Sequence, residues 1–188
     1  ALGLSMAVAA QSLRVWEQYP VRSHGNVLYI AAEGGGGLWE RVAAWCEANG
    51  IDPDLMSASW FPTAFNWQLG SALESMVLME RIRIMKPALV VVDTKARCTD
   101  SSDENDSTAQ ASVIRVCDMI RQETGACVLI IHHSSRSGAN PRGSSAWDGA
   151  VDIDLRSGCE GEGADRELVV KCHKRKDEED QCEHKFKL

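Results

Sequence analysis

Three apolar runs in this chain each end in side chains able to handle a proton or a metal ion. Residues 27–32 run into Glu33, residues 88–92 into Asp93 and Thr94, and residues 127–131 into His132, His133 and Ser134. An Asp at the end of a rigid, buried strand can hold magnesium, directly or through water. A Glu on a neighbouring strand can orient and deprotonate an attacking water. A His or Ser on a third strand can sense the terminal phosphate of a nucleotide. The combination fits phosphoryl transfer. Taken singly, each has a plainer explanation: a helix cap or turn for Asp93, a loop residue for Glu33 before four glycines, a structural pair for the histidines. The three together, in this order, favour a site.

Such a site needs its strands side by side and parallel, because ligands of open α/β sheets sit at the carboxyl ends of the strands. The rest of the sequence supplies that frame. NVLYIAA (26–32), ALVVV (88–92) and ACVLIIHH (126–133) read as strands buried on both faces, and a weaker strand signal lies at 56–61. Between them, LWERVAAWCEAN (38–49), SALESMVLMERIRIM (71–85) and residues 108–124 carry helical periodicity, stopped by Gly50, Pro87 and Gly125. Residues 1–16 predict a buried helix and 17–26 a loop. VDIDLR, RELVVKCHK and EHKFKL follow with no helix between them and suit antiparallel additions at one edge. The alternation predicts an α/β fold with a mostly parallel central sheet, in one domain over 1–188.

Composition narrows the classes. The 188 residues carry a net charge of -7, which argues against coating DNA by bulk charge while leaving room for a local basic loop. The seven cysteines are odd in number and lack CxxC spacing, so reduced thiols are expected rather than a disulfide framework or zinc site. No apolar run is long enough to span a bilayer, and no membrane partner is expected. The six Trp residues, Trp39, Trp45, Trp60 and Trp67 among them, are expected in core or subunit packing. Residues 99–108 form a polar, acidic loop, and 134–145 a second polar loop bearing Arg136 and Arg142.

The order of these stretches resembles the RecA-like ATPases of the RepA type, hexameric helicase and loader ATPases of plasmids and phages among the AAA-type P-loop NTPases. VLYIAAEGG resembles that family's strand ending in the catalytic Glu, and ALVVVDTKARC its Walker B strand. VLIIHHSS with RGSSAWDGAVD resembles its third motif and downstream loop, and VVKCHKRKD with EHKFKL its closing hairpin. The resemblance implies a RecA-like three-layer sandwich. It makes Glu33 the general base, Asp93 the magnesium-associated carboxylate, and Thr94 and Ser134 secondary polar contacts. His132 or His133 becomes the sensor, the other packing into the strand. Lys174 and Lys176, on one side of a strand, fall where related rings place a finger acting on the neighbouring subunit's phosphate. The alternative for that cluster is a solvated basic turn balanced by Asp177–Asp180. Arg136 and Arg142 become contacts to single-stranded DNA in a central channel, or belong to an ordinary loop.

The same resemblance addresses the phosphate loop. No Gly-Lys-Ser or Gly-Lys-Thr occurs in the 188 residues, whereas ALGLSMAVAAQ resembles the helix that follows such a loop. The expectation is a chain beginning just after it. Function is then expected to be magnesium-dependent ATP hydrolysis driving a replication or recombination motor. The motor would be a homo-oligomeric ring, expected as a hexamer, in the cytosol of a bacterium or a phage-infected host. Two rivals stand: a DNA-binding or ring-assembly subunit on the same fold without the phosphate loop, and a kinase-like phosphotransferase, for which no acceptor pocket is marked.

Overall fold

The computed structural model describes residues 1–33, 36–57, 59–63, 68–69, 71–99, 106–133, 146–176 and 182–187. The chain, expected as one domain, packs as two compact units, Ala1–Ser144 and Ser145–Leu188.

The first unit is built on four parallel strands: β3 (Val27–Ala31), β4 (Trp60–Thr63), β5 (Leu89–Asp93) and β6 (Cys127–Ile131), numbered after a two-residue ribbon of β1 (Val15–Trp16) and β2 (Tyr19–Pro20). Their order is β4-β3-β5-β6. All five residues of β3 are buried, and β5 is buried up to Asp93, which is half-exposed. Continuous apolar runs do this when both faces of a sheet are covered. On one face Val27, Tyr29, Ala31, Leu89 and Val91 join Met6, Ala9, Val42, Cys46 and Trp60 in a single core. These come from α1 (Leu2–Ala9), α2 (Leu38–Asn49) and β4. Leu28, Ile30, Val90 and Val92 point the other way and are also fully buried. Helices α4 (Ala72–Met85) and α5 (Ser107–Thr124) contact each other, and α5 also contacts β6. Each such aliphatic side chain contributes about 1.5–3 kcal/mol on burial.

Local signals set the element ends. Asp106 caps α5, its carboxylate accepting the N–H groups of Thr108 and Ala109 at 2.9 and 3.2 Å, and Gly125 ends it with φ 71°. Gly25 brings the chain so close to Ala88 that a Cβ there would lie 2.6 Å from the Ala88 Cβ.

Three expectations are corrected. The first helix stops at Ala9 rather than 16, because the chain turns back through the β1–β2 ribbon, with Glu17 at φ 57° in its tight turn. The strand expected at 56–61 is displaced. Asp52 accepts the N–H of Asp54 at 2.9 Å and Pro53 starts a one-turn helix, α3 (Pro53–Ser57), so β4 begins only at Trp60. β6 is half-exposed along its length rather than buried, since among the described residues it pairs on one side only, with β5.

In the second unit, α6 (Ala146–Ala150) precedes β7 (Ile153–Glu160), β8 (Glu167–Arg175) and β9 (Glu183–Lys187). These three strands are antiparallel, as expected from their helix-free connections, and form a sheet of their own in the order β7-β8-β9.

Candidate functional site

The topology picks out one place. From β3 the chain leaves through α2 to β4 on one side of the sheet, and from β5 it leaves through α5 to β6 on the other. Adjacent strands whose connections diverge open a crevice at their carboxyl ends, the usual ligand position in such sheets. Ala31, Asp93 and Ile131 stand in register across β3, β5 and β6. Glu33, Thr94 and His133 therefore all emerge at the same edge.

Their side chains meet. Glu33 Oε2 accepts a hydrogen bond from Thr94 Oγ1 at 3.4 Å and lies 3.4 Å from His133 Nε2, while Glu33 Oε1 pairs with Arg97 Nε at 3.2 Å. The Glu33 carboxyl is held below the usual carboxylate range, first by the Arg97 guanidinium and then by His133, against a small opposing effect of burial. Beneath it, the Asp93 carbonyl accepts the backbone N–H groups of Ala32 and Glu33 at 2.7 and 3.2 Å, so the chain leaving β3 is tied over β5. Asp93 itself is anchored from below: the Tyr29 hydroxyl donates to its Oδ2. Burial first, and then the Asp93 carboxylate, push the Tyr29 phenol well above its ordinary pKa. Thr94 is buried, at 2 % exposure.

The amino end of α1 reaches the same edge. The backbone nitrogen of Ala1, at the start of α1, lies within electrostatic reach of the Asp93 carboxylate. The first turn of a helix carries unpaired N–H groups and a partial positive charge, and here that end faces an acidic strand terminus.

Of the other sequence candidates, His132 is half-buried beside His133. Ser134, Arg136 and Arg142 lie outside the described residues. Lys174 and Lys176 belong to the second unit: the Lys174 ammonium donates to the backbone carbonyls of Asp148 and Val151, and Lys176 Nζ lies 3.7 Å from Asp152 Oδ1. Trp60 is in the core, its Nε1 donating to Ser5 Oγ at 3.0 Å, whereas Trp39 is 60 % exposed.

Two residues at this edge escaped the sequence reading. Arg97 sits on the 3-10 turn Lys95–Arg97 that follows β5, and only the fold of that turn returns it to Glu33. The signal available was a guanidinium four residues after the strand-terminal Asp. Tyr29 was counted among apolar strand residues, yet a phenol inside a two-sided buried strand requires a polar partner.

Comparison with known proteins agrees with this architecture. One family, described as AAA domain, matches residues 1–139. Among solved structures, the crystal structure of the RadB recombinase superposes with a TM-score of 0.61 at 18 % identity, covering 87 % of this chain and 75 % of that one. No curated protein matches.

Proposed function

We infer that this chain, which belongs to the AAA domain family and has a RecA-like fold, is the hydrolytic core of a DNA-directed ATPase. The observation that carries the reading is the meeting of Glu33, Thr94 and His133 beside Asp93 at the switch point of the sheet. It requires a phosphate-binding loop ahead of α1 in the full-length protein, where the amino end of that helix already faces Asp93.

The residues fit a magnesium nucleotide. Magnesium in phosphate sites takes one or two carboxylates plus phosphate oxygens and water, not a cage of protein ligands. Asp93 presents a single carboxylate fixed at one oxygen by Tyr29. Asp93 would hold the ion, with Thr94 beside it, and the ion would neutralise phosphate charge during transfer. Glu33 accepts the proton of the attacking water and fixes its direction. Its exposed ion pair with Arg97 is weak enough to exchange for contact with water. His133, whose Nε2 lies 3.4 Å from Glu33 Oε2, is the sensor of the terminal phosphate, in preference to half-buried His132.

The finer reading is a RepA-like helicase or helicase loader, a homo-oligomeric ring working on single-stranded DNA in the cytosol of a bacterium or phage-infected host. No described helix is long and apolar enough to cross a membrane. Support for subunit packing comes from the outward side of α4, where Leu73, Met76, Val77 and Ile84 are all more than half exposed. Lys174 and Lys176 act across the subunit boundary, and Arg136 and Arg142 contact the DNA backbone. The test is Glu33→Gln in the full-length protein: ATP binding retained, with turnover lowered about 10²–10⁴-fold. Undiminished turnover overturns the reading, and absence of ATP binding in the unmodified full-length protein favours a ring-assembly subunit instead.

A further inference from the structure

The seven cysteines are not equivalent. Cys127 and Cys159 are exposed, but across their ladders they face Leu89 and Leu168. Cys46 and Cys98 are buried in the first unit. Cys172 and Cys182 differ from all of these. The β8–β9 ladder aligns Lys171 with Glu183, Val170 with His184 and Leu168 with Phe186. One step further along, the same register sets Cys172 directly opposite Cys182, and the Cys172 N–H donates to the Cys182 carbonyl at 2.8 Å. Directly opposed residues of an antiparallel pair put their side chains on one face, and a hydrogen-bonded pair holds its Cα atoms about 5.5 Å apart. That spacing falls at the commonest Cα separation for a disulfide, about 5.5–6 Å. Both residues are half-buried, so a small reagent can reach them while the ladder keeps them facing.

We propose that Cys172 and Cys182 form an oxidation site: a cross-strand disulfide that staples the β8–β9 ladder at the end nearest the connection between the two strands, made by exchange with a low-molecular-weight disulfide. The thiolate of one cysteine attacks a sulfur of the small disulfide, forming a mixed disulfide and releasing one small thiolate. The facing cysteine then displaces the second small thiolate and closes the protein bond. Two protein thiols are oxidised, one small disulfide is reduced to two thiols, and the two protein protons end on those thiols. The ring so closed contains Lys174, whose ammonium binds the carbonyls of Asp148 and Val151. The bond therefore also fixes the strand end that anchors α6.

The experiment treats the folded protein with oxidised glutathione, blocks remaining thiols with an alkylating reagent, and maps digested peptides by mass spectrometry. The expected result is a Cys172–Cys182 cross-linked peptide, with Cys127 and Cys159 left as glutathione mixed disulfides because the residues opposite them, Leu89 and Leu168, carry no thiol. Glutathione retained on Cys172 or Cys182, or a bond from either to Cys159, overturns the proposal. As a second readout, oxidation should raise the urea midpoint of the second unit and dithiothreitol should reverse it. Cys172→Ser and Cys182→Ser should each abolish the increment. An increment that survives either substitution is equally fatal to it.

Discussion

Replacing Tyr29 by Phe removes one oxygen from a side chain that is 3 % exposed and whose hydroxyl donates to Asp93. Two opposing effects set the magnitude. A hydrogen bond to an ionised group contributes about 1.5–3 kcal/mol net. Against that, the phenylalanine ring no longer buries a hydroxyl, which returns about 1 kcal/mol. Asp93 is half-exposed, so water replaces part of the lost partner and holds the cost toward the lower end. The expected destabilisation is about 0.5–1 kcal/mol, a roughly two- to fivefold loss in the folding equilibrium. With a slope near 2 kcal/mol/M, the urea midpoint of the first unit should fall by about 0.3–0.5 M at unchanged slope. Circular dichroism follows the transition. A midpoint equal to or above that of the unsubstituted protein would refute the reasoning, because Asp93 would then owe nothing to the phenol beneath it.

Other consequences can be checked separately. Ser5→Ala strips the buried Trp60 indole of its acceptor, at 3.0 Å in the native chain, and should cost about 1–3 kcal/mol in the same urea assay. Burial, with smaller contributions from nearby carboxylates, pushes the Cys98 and Cys117 thiols up to about 12. In the folded protein at pH 8 both should react with a thiol reagent far more slowly than exposed Cys127. An unfolded thiol titrates near 8.5, so the unfolded chain releases these protons first. Their contribution to stability is thus complete below about pH 8.5 and declines as pH rises toward 12, which urea midpoints measured against pH will show in comparison with the double serine variant. Mixing full-length Lys174→Ala with Asp93→Ala protein should restore part of the ATPase activity if one subunit completes its neighbour's site, and no recovery at any ratio argues against a shared site.

The strand ends were legible because a buried parallel strand writes itself as a continuous apolar run, and the residue closing the run must lie at the sheet edge. That placed Glu33, Asp93 and the His132–His133 pair together without knowledge of the register, and left the choice between the two histidines open. What was not legible depends on contacts distant in sequence or on a turn. Tyr29 and Asp93 are 64 positions apart and meet only through the β3–β5 pairing. Arg97 reaches Glu33 because three residues after Thr94 coil into a 3-10 turn, a conformation no periodicity announces. The Asp52–Pro53 helix start outweighed the strand propensity of 56–61 by capping a turn there first. For the last three strands, pairing type followed from the short connections, whereas membership in a separate sheet depends on which ladder each edge meets.

The half-exposed β6 carries a cost that appears during folding. Its five residues, Cys127–Ile131, contain no charge, no Pro and three β-branched side chains, and among the described residues its ladder is filled on one side only. Parallel sheets close late because their pairings join distant segments. Until β5 and β6 are in register, this segment is a bare template that a second chain can extend as readily as its own. Refolding from urea should then become a race between docking within one chain and edge-to-edge pairing between two, with recovered soluble protein falling as its concentration rises.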